Sequence, residues 1–308
     1  MSRLKSAWFT GLLTTTRSRI WWAAALALAL VSGAAVWAFT DRSPAQASTG
    51  DRAEMSAALL SARLPIYSLL QTRTSTQTDI ARAQRKLTIE CMAELGFEYK
   101  PAPIVTTEES AGEHPTPFGV ESLAALTAAT PQAPPSEAPV SKAFIRALYG
   151  DSDDRISAKG KALKVSRPAH GCQAEAEKRL LGDQRVRWLQ LRIRLDEGDK
   201  ESRQQLEKDP AFRAANARWR TCMQAAGFDH KDPMGLLTAL PRGTDLSTSP
   251  AVRADVHCKA DTHYLSTAYP RLQAVQQAWL DQHKEVPTGW KTLEQRQATA
   301  AHDVLAER

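Results

Sequence analysis

Cys91-Met92, three residues, then Gly96-Phe97 recurs as Cys222-Met223, three residues, then Gly227-Phe228. In a chain of 308 residues with only four cysteines, five methionines and seven phenylalanines, such a match marks an internal repeat. The offsets have a mechanical meaning. When a left-handed glycine closes a helix, the residue four before it and the residue just after it bring their side chains together in a Schellman cap. Met92 with Phe97, and Met223 with Phe228, stand at those places. The motif predicts a helix stop with a cysteine just upstream, which is structural rather than catalytic. One further cysteine follows each copy, Cys172 after the first and Cys258 after the second. Four cysteines allow three pairings, and an exported chain forms two disulfides from them. The expected bonds are Cys91–Cys172 and Cys222–Cys258, which make two helix–loop–helix modules; a Cys91–Cys222 bond would break that organisation.

Export is the expectation. Ile20 to Phe39 reads IWWAAALALALVSGAAVWAF and contains no charge. Twenty helical residues at about 1.5 Å each cover roughly 30 Å, the thickness of a bilayer core. Trp21, Trp22 and Trp37 lie near its ends, where aromatic rings favour the membrane interface. Arg3, Lys5, Arg17 and Arg19 precede it with no acid before residue 41. The positive-inside rule therefore keeps residues 1–19 in the cytoplasm and sends the rest outward, anchored in the lipid bilayer through residues 20–39. The rival reading is a signal peptide cleaved after Ala47, at Ala45-Gln46-Ala47, which would secrete the body. The net charge of +6 loses its apparent meaning in this light. Residues 41–308 hold 36 bases against 34 acids, so the excess orients a helix and offers no case for nucleic acid.

Plentiful Ala and Arg, few aromatics and no alternating Val/Ile/Thr runs read as helix. The expected fold class is all-α: one N-terminal transmembrane helix, then a disulfide-linked helical domain of two related modules. The expected divisions are a cytoplasmic tail over 1–19, the transmembrane helix over 20–39, and a juxtamembrane segment over 40–75 with a helix from Asp51 to Leu70 interrupted at Pro65. A first module over 76–208 and a second over 209–308 follow. Thr78–Leu95 carries Ile80, Ala83, Leu87, Cys91 and Leu95 on one stripe. Residues 101–140 hold eight of the 17 prolines and read as an extended insertion with a turn or two of helix near Val120–Ala129. Helices are expected again at Ser141–Leu148, Gln173–Leu195 and Pro210–Ala226, and from Pro250, Pro270 and about Thr288. Arg185–Leu195 (RVRWLQLRIRL) alternates like a strand, but its helix-forming neighbours make it helix.

With the repeat stand Ala147-Leu148-Tyr149-Gly150, Gly171-Cys172 and Ala254-Asp255-Val256-His257-Cys258-Lys259. Over roughly residues 75–285 the chain resembles uncharacterised exported or membrane-anchored proteins of high-GC Gram-positive bacteria. That resemblance implies an envelope location and transfers no catalytic residue.

Reaction chemistry is hard to find. His170, His257 and His263 lie near cysteines, but neither C-x-x-C nor H-E-x-x-H spacing occurs, so neither a metal site nor a redox dithiol is expected. A nucleophile elbow, a phosphate loop and a dinucleotide fingerprint are also missing, and no cofactor is expected. The alternative is a peptidoglycan hydrolase or lytic transglycosylase using a helix-borne acid, Glu90 or Glu94, with a raised pKa. Neither acid recurs in the second copy, where Thr221 and Ala225 stand. Charge is segregated instead. Glu108, Glu109, Glu113, Glu121 and Glu137 populate Pro101–Ser141 without a base, and Arg155, Lys159, Lys161, Lys164 and Arg167 follow without an acid. The basic run is a candidate surface for anions, either lipid headgroups or an anionic wall polymer. The expected role is a non-catalytic accessory or interaction protein of the cell envelope, serving a transporter or a wall-associated complex.

Overall fold

The structure, a computed structural model, describes residues 64–70, 74–104, 116–128 and 141–307. Residues 1–63 lie outside that set, and with them the expected transmembrane helix. Among the described residues no helix is long and apolar enough to cross a membrane.

Helices dominate. They are α1 (Pro65–Leu70), α2 (Ser75–Glu94), α3 (Leu123–Ala128), α4 (Lys142–Tyr149), α5 (Cys172–Leu181), α6 (Arg185–Leu206), α7 (Pro210–Ala225), α8 (Pro233–Ala239), α9 (Pro250–Asp261), α10 (Tyr264–Gln282) and α11 (Glu285–Ala306). Their starts follow local chemistry. Thr74, Ser141, Asp209 and Asp232 each accept a backbone N–H of the first turn, and Pro210, Pro233 and Pro250 begin helices where no N–H is needed.

The helical domain expected is there, but it is not purely α, because it also carries a hairpin. Arg155–Lys159 (β1) and Lys164–Pro168 (β2) pair antiparallel, with Ser157 opposite Ser166. The alternation that carries this hairpin is short, so helical composition on either side hides it. Ile156, Ala158 and Val165 turn towards Leu189 and Ile193 of α6. Glu197 of α6 accepts the Lys161 N–H and so holds the turn.

Two further boundaries move. Gly182 ends α5, a short 3-10 turn follows, and α6 runs on to Leu206, where one helix over 173–195 was expected. Pro270 does not start a helix but sits inside α10. It lies near the helix N-terminus, where it forfeits a single hydrogen bond, to the Ser266 carbonyl.

Both predicted bonds form. Cys91 and Cys172 are joined across 81 residues, Cys222 and Cys258 across 36, with Cα–Cα distances of 5.6 and 5.7 Å. Both caps form too. The Phe97 N–H donates to the Met92 carbonyl at 2.9 Å and Gly96 to Ala93 at 2.9 Å; Phe228 donates to Met223 at 2.9 Å and Gly227 to Gln224 at 3.0 Å. Gly96 and Gly227 have φ of 80° and 87°, and Met92 and Met223 are wholly buried. Around the first cap the α2 core row passes through Ala83, Thr88 and Met92, whereas Leu95, assigned to that stripe, lies past the helix end and is 56% exposed. Gly150 and Gly171 meet backbone to backbone, so a side chain on either would strike the other segment.

The repeats do not make separate bodies. All described residues belong to one compact unit, which the expected 208/209 boundary does not divide. The last helix, α11, returns from the second module to pack on α2, α5 and α6, and α10 packs on α1, α6, α7 and α9. Part of the segment expected beside the membrane enters the core as well: Leu64, Ile66 and Tyr67 are buried and Pro65 begins α1, while the rest of the helix expected over 51–70 lies outside the described residues.

The caps offer a clean test. No atom lies within 4 Å of a Cβ added at Gly96 or Gly227, so an alanine there meets only backbone strain. Gly96→Ala and Gly227→Ala are each expected to cost about 1–2 kcal/mol, with Asn milder, in denaturant unfolding with the disulfides intact.

Candidate functional site

The Pro-rich insertion turns out to be partly core. Phe118, Val120 and Glu121 are buried, and Phe118 packs edge-on to Tyr264 and Tyr269 with ring centroids 5.9 and 5.1 Å apart. An irregular segment at this depth needs partners for its backbone. Lys259 donates to the Val120 carbonyl at 2.6 Å, Arg203 to the Pro117 carbonyl at 3.0 Å, and the Phe118 N–H donates to Glu121 at 3.2 Å. The Lys259 and Asp255 side chains are 1% and 0% exposed and 2.7 Å apart. Asp255 also accepts the indole N–H of Trp219 at 2.9 Å, and Glu121 accepts the Tyr269 hydroxyl at 2.7 Å.

Burial pushes the Asp255 carboxyl up and the Lys259 ammonium down, and their mutual attraction opposes both shifts. Burial also lifts Glu121 to about 7, against its hydrogen bonds and Lys259. Beside it, Arg203 bonds the Tyr67 hydroxyl and pairs with Asp199 at 2.9 Å. Gln276, fully buried, links Asp199 to the Ile66 N–H. These side chains clamp α1, the 116–121 segment, α6, α9 and α10 together.

Next to this clamp opens a cleft of about 1110 Å³ between the end of α6, α7, the start of α8 and Pro117–Phe118. Phe118, Phe212 and Tyr264 form its aromatic wall, and Arg213, Asn216, Ala217 and Arg220 line it along one face of α7. The opposite face of α7, through Ala215, Trp219 and Met223, is core. Asn216 donates to the Lys231 carbonyl at 3.0 Å, which orients its amide; its Oδ1 is buried without a partner among the described residues. Tyr264 is 1% exposed, its hydroxyl makes no hydrogen bond among the described residues, and burial pushes its pKa upward. Arg213, Arg220 and Lys231 are exposed and have no carboxylate partner among the described residues.

The first copy of the repeat places a smaller depression, about 550 Å³, on the matching face of α2. Its residues are engaged. Arg82, matching Arg213, pairs with Asp79 at 3.1 Å. Arg85, matching Asn216, donates to the Pro101 and Ala102 carbonyls at 2.8 and 2.7 Å. Lys86, matching Ala217, reaches the Val304 carbonyl at 2.8 Å, and Ile89 replaces Arg220. In both copies the same helical position grips the chain just past the cap. Only in the second does it leave an acceptor over.

The basic run Arg155–Arg167 does not converge on one site. Arg155 bonds Ser166 Oγ at 2.9 Å, Lys161 pairs with Glu201 at 2.7 Å, and Arg167 is drawn to Glu177 and over the Trp188 ring. Arg155, Lys159 and Lys164 lack an ion-pair partner among the described residues, and Lys159 and Lys164 stand opposite each other on the exposed face of the hairpin. Strand alternation, unseen in the sequence, divides the run between two faces. Of the acidic stretch, Glu121 is buried beside Lys259, and Glu108, Glu109, Glu113 and Glu137 fall outside the described residues. Glu90 and Glu94, the alternative catalytic acids, are exposed on α2, beside a depression that Leu87, Glu175 and Arg179 also line. His170 pairs with Asp154 at 3.1 Å and His257 with Asp261 at 3.0 Å, and no metal-holding group occurs among the described residues. The cleft residues had a sequence signal that went unread, the difference between the two copies upstream of the caps. No family model, curated protein or solved structure matches the chain.

Two outcomes are expected. The folded chain holds the Glu121 proton more tightly than the unfolded chain does. Its contribution is therefore full below about 4.5 and lost as pH rises through about 7, a loss of about 3 kcal/mol. Denaturant unfolding across that range should show the slope, and Glu121→Gln should flatten it. Lys259→Met alone strands a buried carboxylate and is expected to cost about 3–5 kcal/mol; adding Asp255→Asn should recover much of it in the same assay.

Proposed function

We propose that the chain is a non-catalytic accessory protein of the cell envelope, tethered through residues 20–39, whose disulfide-stapled helical body presents the α6–α7 cleft to a partner. The carrying observation is the contrast between the two copies. One helix face has its polar groups occupied in the first copy; the matching face in the second leaves an acceptor and bases unmatched beside aromatic rings. A buried acceptor left unpaired costs stability that a bound donor would restore, which favours a binding role. The two disulfides favour an oxidising compartment, in keeping with the apolar run and the bases before it.

Protease added to intact spheroplasts is expected to degrade the body while a cytosolic marker survives. Intact mass of the native protein should include residues 1–47. Protection of the body until the membrane is permeabilised would overturn the orientation, and a mass beginning after Ala47 would replace the tether with secretion.

A further inference from the structure

We infer that the α6–α7 cleft binds an extended acidic peptide segment carrying one bulky apolar side chain. This inference deepens the binding role proposed above and rests on it. Three features select the ligand. First, Arg213, Arg220 and Lys231 give the rim three bases without ion pairs. Of the cleft's acids, Asp199 is held by Arg203; Glu207 and Asp232, which caps α8 at 2.6 Å from the Gly235 nitrogen, stand against the three bases. The uncompensated charge is positive, and it draws anions.

Second, the unmatched groups differ in kind. Asn216 Oδ1 needs a donor, and the Tyr264 hydroxyl can give or take a hydrogen bond. A peptide backbone offers an N–H and a C=O on every residue, whereas an anionic lipid with a phosphate head and hydrocarbon tails has far less to donate. Third, Phe118 and Phe212 are hydrocarbon rings, and Met234 is 43% exposed beside them. That surface suits an apolar side chain better than a sugar. Spacing fits as well. Arg213 and Arg220 stand two helical turns apart, about 10 Å along α7, which an extended chain crosses in about three residues. Carboxylates two to four residues apart would meet both.

The test uses the full-length protein in a mild non-ionic detergent and a fluorescein-labelled peptide, Gly-Glu-Glu-Phe-Gly-Glu-Glu-Gly, read by anisotropy. Its Gln-for-Glu analogue and the short-chain lipid dihexanoylphosphatidylglycerol serve as competing probes. The acidic peptide is expected to bind about tenfold or more tightly than the analogue, with affinity falling as salt rises. Arg213→Gln with Arg220→Gln should remove that advantage. Tyr264→Phe should weaken binding severalfold while melting no lower than the parent, because it deletes an unpaired hydroxyl and keeps the ring. Equal binding of the two peptides, or indifference to the arginine substitutions, would overturn the inference. Capture of the lipid but not the peptide would overturn the ligand class and leave a binding role standing. If neither probe binds, the peptide assignment falls, whereas the envelope location stands or falls with protease accessibility.

Discussion

The fold depends on burying a stretch of chain with no secondary structure of its own. Thr116–Glu121 runs into the core of the C-terminal half, where water cannot serve its carbonyls. Arg203 and Lys259 serve them instead, from α6 and α9. Each brings a charge that needs compensation, and each finds an aspartate one helical turn back, Asp199 and Asp255. A buried ion pair contributes little net stability over an apolar alternative, but breaking one is costly. The clamp therefore specifies one arrangement more than it deepens the energy well. It also explains why the two halves cannot part: the insertion belongs to the first repeat, and most of its buried contacts lie in the second.

The long helix α6 bears the other half of the architecture. Leu189 and Ile193 face the hairpin, while Leu191 and Leu195 face α10 and α11. Residues two apart on a helix lie on nearly opposite sides, so a helix buried on two sides alternates apolar and polar as a strand does. The strand-like RVRWLQLRIRL records two neighbours rather than a different backbone.

What could be read in advance depended on the range of the cause. The caps at Gly96 and Gly227 and the proline-led starts of α7 and α9 come from local chemistry and were legible; the cysteine pairing, across 81 and 36 residues, was legible through the repeat. The hairpin was not, because its apolar face is three small or branched residues whose partners lie on α6. Pro270 misled because a proline near a helix start and one a turn further in look alike without the preceding residues' geometry. Asp255 and Lys259 were visible as an i, i+4 pair, yet such pairs usually sit in water. Nothing local says that this one meets the Val120 carbonyl. Glu121 deceived most: its neighbours in sequence are acidic and proline-rich, the composition of a solvated loop.

The repeat acquires its meaning from divergence. Both copies cap a helix with Met-x3-Gly-Phe, staple it with a disulfide, and use one upstream side chain to hold the chain emerging from the cap. In the first copy that side chain is Arg85, long enough to take two carbonyls, and α11 runs alongside close enough for Lys86 to find the Val304 carbonyl. In the second copy Asn216 reaches one carbonyl, and Ala217 leaves open the volume a lysine would fill. Two shorter side chains on one face of a stapled helix thus go with a cleft of about 1110 Å³ where the first copy has a depression of about 550 Å³, while the cap, the bond and the buried methionine keep the helix in place. The constancy of the staple is what allows that face to vary.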